Sequence, residues 1–325
     1  MPSDTDWLVP KPLQPRGADY EFDLDRALTA VVALTSRAPE DAFSAQTLGT
    51  ERVGHGVLIR DDGLVLTVGY LAMEAEEIWL TLHDGRVVPG HAVGFDYESG
   101  LCLVQALTHI KTPYLELGSS SELAVDEPVV IAGAGGRKRS VAAHIVSRQS
   151  FAGYWEYLID KALLTAPTHP QWGGSAMINQ AGELVGIASL QLEQDGDDGE
   201  PESLNLIIPI DVLKPVLDDL LKMGRPDRAP RPWLGCHAAE IEGRIVIIGV
   251  SKKSPARRAD LRTGDMVLKV NGRPLRKLAD FWRRLWACGP AGSEVTLTIF
   301  REDTQFDVQI RTGDRVKMLK QPRLH

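Results

Sequence analysis

A chain of 325 residues, 43% hydrophobic and 25% charged, is too long for one ordinary core and apolar enough to fill two or three, which excludes bulk disorder. Of its 36 basic and 44 acidic residues, 19 and 10 lie between Arg231 and His325, so a basic C-terminal part follows an acidic remainder. The basic residues are dispersed and lack an aromatic-basic signature, which argues against nucleic acid, and no apolar run approaches the roughly 18 residues of a membrane span.

Residues 1–24 are polar, Pro-rich and acidic and read as an extended N-terminal arm, with Trp7, Tyr20 and Phe22 as anchors toward a surface such as a neighbouring subunit. The arm has neither a basic n-region nor an apolar h-region, so the chain as written reads as cytoplasmic, and as periplasmic if a native targeting segment is missing from it. Over residues 25–112 six short β-runs alternate with turn signals: TAVVALTS, GVLI, LVLTV, EIWLTLH, RVVPGHAVGF and LCLVQAL. Residues 113–226 carry a second set, YLEL, EPVVIAGA, VAAHIVSRQS, EYLIDKALLT, SAMIN, ELVGIASLQL and LNLIIPI, then a helical pattern, DVLKPVLDDLLKMG, that Gly224 should stop. Two such sets predict two small barrels or a sandwich pair.

Residues 227–232 read as a Pro-rich linker. Residues 233–314 follow as a small α+β domain, with a strand at RIVIIGV, a helix at KLADFWRRLWAC and a closing hairpin at SEVTLTIFRE and QFDVQIRT. Residues 315–325 form a basic tail expected to fray. Cys102, Cys236 and Cys288 are odd in number and widely spaced, and they read as buried free thiols with no zinc site. The acidic run from Glu193 to Glu200 could wrap a hard cation, but no Glu closes an EF-hand spacing, so it reads as a solvated loop. No metal or cofactor is expected.

SPARRADLRTGDMVLKVNG resembles the PDZ core of bacterial HtrA proteases in Ser254-Pro255-Ala256, Leu261, Gly264-Asp265 and Asn271-Gly272, with Asp260 where the family usually has Gly. The resemblance implies a module that takes a peptide as an added strand and holds its terminal carboxylate on backbone amides. Trp233, Leu234, Gly235 and Cys236 match the position of the carboxylate-binding loop. Upstream, GHGVLIRDDGLVLTVGYLA, FDYESGLCLVQA, HPQWGGSAMINQAGELVGI and LNLIIPIDVLKPVLDDLL resemble the HtrA protease domain over roughly residues 28–224. The implied fold is mainly β: a trypsin-like double six-stranded β-barrel followed by a PDZ domain.

The trypsin-like mechanism needs a hydroxyl to attack, an imidazole to take its proton and a carboxylate to orient the imidazole. Asp62-Gly63 and Leu66-Thr67 set the register of the first stretch and put Tyr70 at the histidine position. Phe95-Asp96 and Leu101 put Gly100 at the aspartate position. Asn179 and Gly182-Glu183 put Gly173 at the nucleophile position. A phenol titrates near about 10 and makes a poor base at neutral pH, and two glycines supply nothing. Gln171 and Trp172 replace the Gly-Asn of the oxyanion loop, and Thr165 replaces an aspartate eight residues before the nucleophile. A relocated pair, Ser175 with His169, is the substitute that remains. His55, His83, His91, His109 and His144 read as surface or satisfied core histidines.

The resemblance therefore implies a degenerate protease that binds polypeptide or protein C-termini as a chaperone, adaptor or assembly scaffold. Two alternatives stay open: an active HtrA-type serine endopeptidase, and a structural subunit of a larger complex. HtrA relatives form trimers through N-terminal segments, and the arm permits a homotrimer.

Overall fold

The computed structural model describes residues 7–195, 199 and 201–320 and divides into two compact units. One runs through Gln149, resumes over Lys161–Asp227 and takes in Lys320; the other joins Ser150–Asp160 to Arg228–Leu319.

The first unit holds two closed barrels. α1 (Leu24–Leu28), capped by the Asp23 carboxylate, leads into β1 (Val31–Arg37). A short α2 (Ala45–Leu48) precedes β2 (Glu51–Leu58) and β3 (Leu64–Val68), after which α3 (Gly69–Ala72) turns the chain into β4 (Glu77–Thr81), β5 (Val87–Asp96) and β6 (Leu101–Ala106). These strands close in the order β1-β2-β3-β6-β5-β4. β7 (Pro128–Ala132), β8 (Ser140–Gly153), β9 (Tyr157–Ala166), β10 (Ala176–Ile178), β11 (Leu184–Asp195) and β12 (Pro201–Pro209) close as β10-β11-β12-β9-β8-β7. The interiors are the β-branched and leucine positions read from the sequence: all of β3 and β10 is buried.

Several expectations change. YLEL forms no strand. Pro113 precedes it, and its register with the barrels reduces to one bridge between Leu117 and Leu184. The pattern after β12 is interrupted by Pro215, so 3-10 turns at Ile210–Val212 and Lys214–Val216 precede α4 (Leu217–Met223). Gly224 then ends α4 in the left-handed region. The arm is not extended throughout, because Lys11–Leu13 and Gly17–Asp19 form 3-10 turns. Its aromatic residues lie on their own chain: Val9 is part of the second barrel's core with Trp7 packed against that core, and Phe22 covers Gly182. The described part of the tail does not fray: it forms a 3-10 turn at Arg315–Met318, buries Leu319, and bonds the Lys320 amide to Glu74 at 2.8 Å.

In the second unit β13 (Cys236–Ile241), β14 (Arg244–Val250), α5 (Pro255–Arg258), β15 (Met266–Val270), β16 (Arg273–Pro274), α6 (Leu278–Trp286), β17 (Glu294–Arg301) and β18 (Thr304–Arg311) build one sheet, ordered β13-β14-β15-β17-β18 with β16 beside β15. α6 buries Leu278, Phe281, Trp282 and Leu285, one helical stripe. Asn271 and Gly272 both have positive φ and make the tight β15–β16 turn. Asp260 keeps the left-handed conformation of the glycine it replaces (φ 57°), which Asp tolerates better than most side chains. Buried Asp265 receives Arg301 through two bonds of 2.6 and 2.7 Å, which accounts for the aspartate of the Gly264-Asp265 pair.

Candidate functional site

The three positions that the resemblance assigns to the triad, Tyr70, Gly100 and Gly173, lie together in the first unit. The Gly69 amide, next to Tyr70, donates to Gly100 O at 2.7 Å. A Cβ placed on Gly173 would lie 2.9 Å from the Tyr70 hydroxyl, so the phenol fills the space that a side chain on residue 173 would enter. That hydroxyl donates to Ser189 O at 2.8 Å, and burial pushes its pKa above the ordinary tyrosine value. α3 is held from below by Arg52, whose guanidinium donates to Tyr70 O at 2.8 Å and Met73 O at 2.6 Å. Glu74, at the end of the same turn, accepts the Phe43 and Ser44 amides.

The loop before Gly173 is spent on internal bonds. In a trypsin-like site two backbone amides face the developing oxyanion, those of the nucleophile and of the residue two before it. With Gly173 at the nucleophile position, as the resemblance implies, the second would be Gln171, and its amide donates to His169 Nδ1 at 3.1 Å. That bond fixes the neutral tautomer of His169, whose Nε2–H then donates to Arg139 O at 2.9 Å. Ser175 donates to Gln171 O at 2.8 Å and is fully buried. Ser175 and His169 share a loop but not a hydrogen bond. Thr165 is buried, its hydroxyl without a partner among the described residues.

His55 departs from the expected satisfied histidine. It is buried, its Nδ1 accepts the Ala134 amide at 3.2 Å, and its Nε2 has no partner among the described residues. Its ring lies 6.0 Å from that of His169, and the Trp7 ring is 5.1 Å from His169. Burial foremost, then His169 and Arg139, push the His55 pKa down to about 3. His83, His109 and His144 are exposed and His91 partly so. Gly174 (φ 82°) must be glycine, since a Cβ would stand 1.9 Å from His55 O.

The second candidate site is the loop before β13. Trp233 pairs with Gly313, and Leu234 and Cys236 are buried. Gly235 has φ 74°, and a Cβ there would meet Ser254 at 2.3 Å. The amides of Leu234, Gly235 and Cys236 point at one carboxylate, that of Glu156, at 3.0, 2.6 and 3.2 Å. Sequence reasoning missed Glu156, which reads as the first residue of a β-run. Cys102 and Cys236 are buried thiols, whereas Cys288 is only half-buried and accepts from Asn271 Nδ2. No group of three or more His, Cys, Asp or Glu among the described residues could hold a metal ion, and most of the 196–200 loop lies outside those residues. No helix among the described residues is long and apolar enough to cross a membrane.

A trypsin-like peptidase domain model matches residues 54–187 and a PDZ domain model residues 232–312. The chain is similar to the serine endoprotease DegS of Salmonella typhimurium, 26% identical over 318 residues that span 90% of this chain and 85% of the relative. It is also similar to a probable periplasmic DegP-like serine endoprotease of Hahella chejuensis, 28% identical over 85% of this chain but 58% of the relative. Among solved structures, the HtrA-type protease AlgW with a decapeptide has a TM-score of 0.54 at 20% identity, covering 90% of this chain and 97% of its own. A serine endoprotease of Yersinia pestis has a TM-score of 0.52 at 24% identity, covering 89% and 95%. At these identities the structures speak for the fold.

Proposed function

We propose, from the premise that this chain is a protein of HtrA type in which a PDZ domain follows a trypsin-like peptidase domain, that it binds polypeptide without cutting it. One observation carries the reading: the Tyr70 phenol stands where a side chain on residue 173 would be. The other two relay positions hold glycine, and the Gln171 amide is bonded to His169 instead of facing a cleft. Losing one triad member already costs several orders of magnitude in rate, and among the described residues the substitute pair, Ser175 and His169, is bonded to Gln171 O and Arg139 O and not to each other. What remains is peptide holding, at the loop Trp233, Leu234, Gly235 and Cys236 and along the protease-like cleft, in a chaperone, adaptor or scaffold role.

The contrary observation is that the named relatives are endoproteases. Purified chain should take no fluorophosphonate label and leave casein intact over hours, while an active HtrA protease in parallel does both. Labelling or cleavage by this chain would restore the endopeptidase reading. A single stoichiometric partner, with no C-terminal peptide retained, would favour a structural subunit. The periplasmic alternative agrees with the DegP-like relative's name, and the cytoplasmic one draws no support from it; fractionation of the native cell decides between them. Sedimentation of the full chain tests the homotrimer.

A further inference from the structure

Another stretch of the chain is bonded to β13, to the loop before it and to α6. The hairpin of β8 and β9 turns at residues 154–156, and Ser150–Asp160 belongs to the second unit and not to the barrel that the strands come from. Ala152 packs on the second unit's core. Gly153 O accepts from Trp282 Nε1 on α6 at 2.9 Å. Tyr154 O accepts the Ala238 amide of β13, also at 2.9 Å. The Glu156 carboxylate then takes the three amides of Leu234, Gly235 and Cys236. So a short segment lies between β13 and α6, gives its main chain to the strand, and ends in a carboxylate held by backbone amides. These are the contacts that a bound chain terminus makes with such a module.

A second observation is independent of the bonds. Glu156 has φ 59°, a conformation that glycine adopts freely and most side chains avoid. The turn itself would be better served by Gly or Asn. The residue is only 9% exposed, so it is not there for solubility. Its identity is explained by the amides it meets.

We propose that residues 152–156 are an internal ligand of the PDZ unit, the Glu156 side-chain carboxylate standing in for a terminal carboxylate. The groove is closed in the resting chain, and a C-terminal peptide enters only as the hairpin withdraws. The inference rests on the reading of residues 233–236 as the carboxylate-binding loop. The apparent affinity for a free peptide is then reduced by the fraction of chains with the hairpin out.

The test uses the full chain and two variants, Glu156→Gly, which suits the left-handed turn and removes the carboxylate, and Glu156→Gln, which keeps the size and sets an NH2 among the donors. Circular dichroism first establishes that both fold. A panel of fluorescein-labelled decapeptides with hydrophobic C-terminal residues is titrated, each as the free acid and as the C-terminal amide. Hydrogen exchange is followed at residues 234–238. The expected result is exchange at least tenfold faster and free-acid binding at least tenfold tighter in Glu156→Gly than in the unaltered chain, with the amides bound by neither. Equal affinity for the unaltered chain and Glu156→Gly overturns the internal ligand but leaves the peptide-binding reading intact. Faster exchange with no free acid bound by any form overturns both.

Discussion

His55 looks ordinary in the sequence, where His169 draws notice only beside Ser175, yet in the fold both rings are buried and near each other. Burial lowers the pKa of each, His55 to about 3. The unfolded chain protonates them near the ordinary value of about 6.5, so the unfolded state binds more protons below that pH. Stability held at neutral pH is therefore lost as pH falls below 6.5, for His55 down toward 3, by at most about 1.4 kcal/mol per pH unit for each ring. A urea midpoint measured at pH 7, 6, 5 and 4 should fall, and His55→Gln should flatten the fall relative to the unaltered chain. Identical slopes for the two proteins would show that His55 titrates alike folded and unfolded. At this scale the sequence assigns positions 70, 100 and 173 to the relay from the flanking residues that set the register of each stretch, and the fold brings those three positions together. The capture of the Gln171 amide was not legible there, since it depends on which ring nitrogen of His169 a folded loop presents. Glu156 was hidden for a related reason: a turn carboxylate shows its purpose only when distant amides converge on it.

Between elements, the apolar runs mark the strands of both barrels but in the second sheet only β14, β17 and β18, and not β13, β15 or β16, while the α6 stripe marks the helix that packs on that sheet. The failures have physical causes. YLEL has strand-like residues but no continuous neighbour to pair with, and Pro215 divides a pattern that periodicity alone would make one helix. The β8–β9 hairpin was read correctly as two runs, yet a period of two says which face of a strand is apolar and not which core receives its tip. The junction of β2 with the loop before β10 offers a sharp test. Gly174→Ala would drive a Cβ into His55 O, with φ at 82° already unfavourable for alanine. The expected loss is about 3 kcal/mol or more, or failure to fold. Gly243→Ala shares a positive φ of 70° but meets nothing within 4 Å, so its cost should stay at about 1–2 kcal/mol. Thermal melts of the two variants should be far apart, and similar melting temperatures would remove the steric reason given for Gly174.

Across the whole chain, the consequence is that the second unit is not a contiguous stretch of sequence. The exposed linker contains one bond open to trypsin, Arg228–Ala229, flanked by Arg-Pro bonds that trypsin spares. A chain cut there should not come apart on gel filtration at pH 6. The upstream fragment still supplies residues 150–160 to the second unit, through Trp282 to Gly153, Ala238 to Tyr154 and the three amides to Glu156. Most of those bonds are buried, so added salt should matter little, and the exposed pair of Arg283 with Asp160 contributes weakly. Raising the pH should matter more. Burial, partly offset by the three amides and by Arg315, raises the Glu156 carboxyl to about 7. A withdrawn Glu156 titrates near its ordinary 4.5, so the docked hairpin holds a proton that the withdrawn one gives up. Docking is thus strongest on the acid side and is lost as pH rises through 7. His237, lowered by burial and by Arg315, acts in the opposite sense below about 6.5, and the Cys236 thiol stays neutral throughout. The separated fraction of the cut chain should therefore grow between pH 6 and pH 8, while in cut Glu156→Gly that growth should disappear, leaving only the opposite trend of His237, which favours separation at pH 6. Separation of the unaltered cut chain that ignores pH would mean that Glu156 does not hold the hairpin.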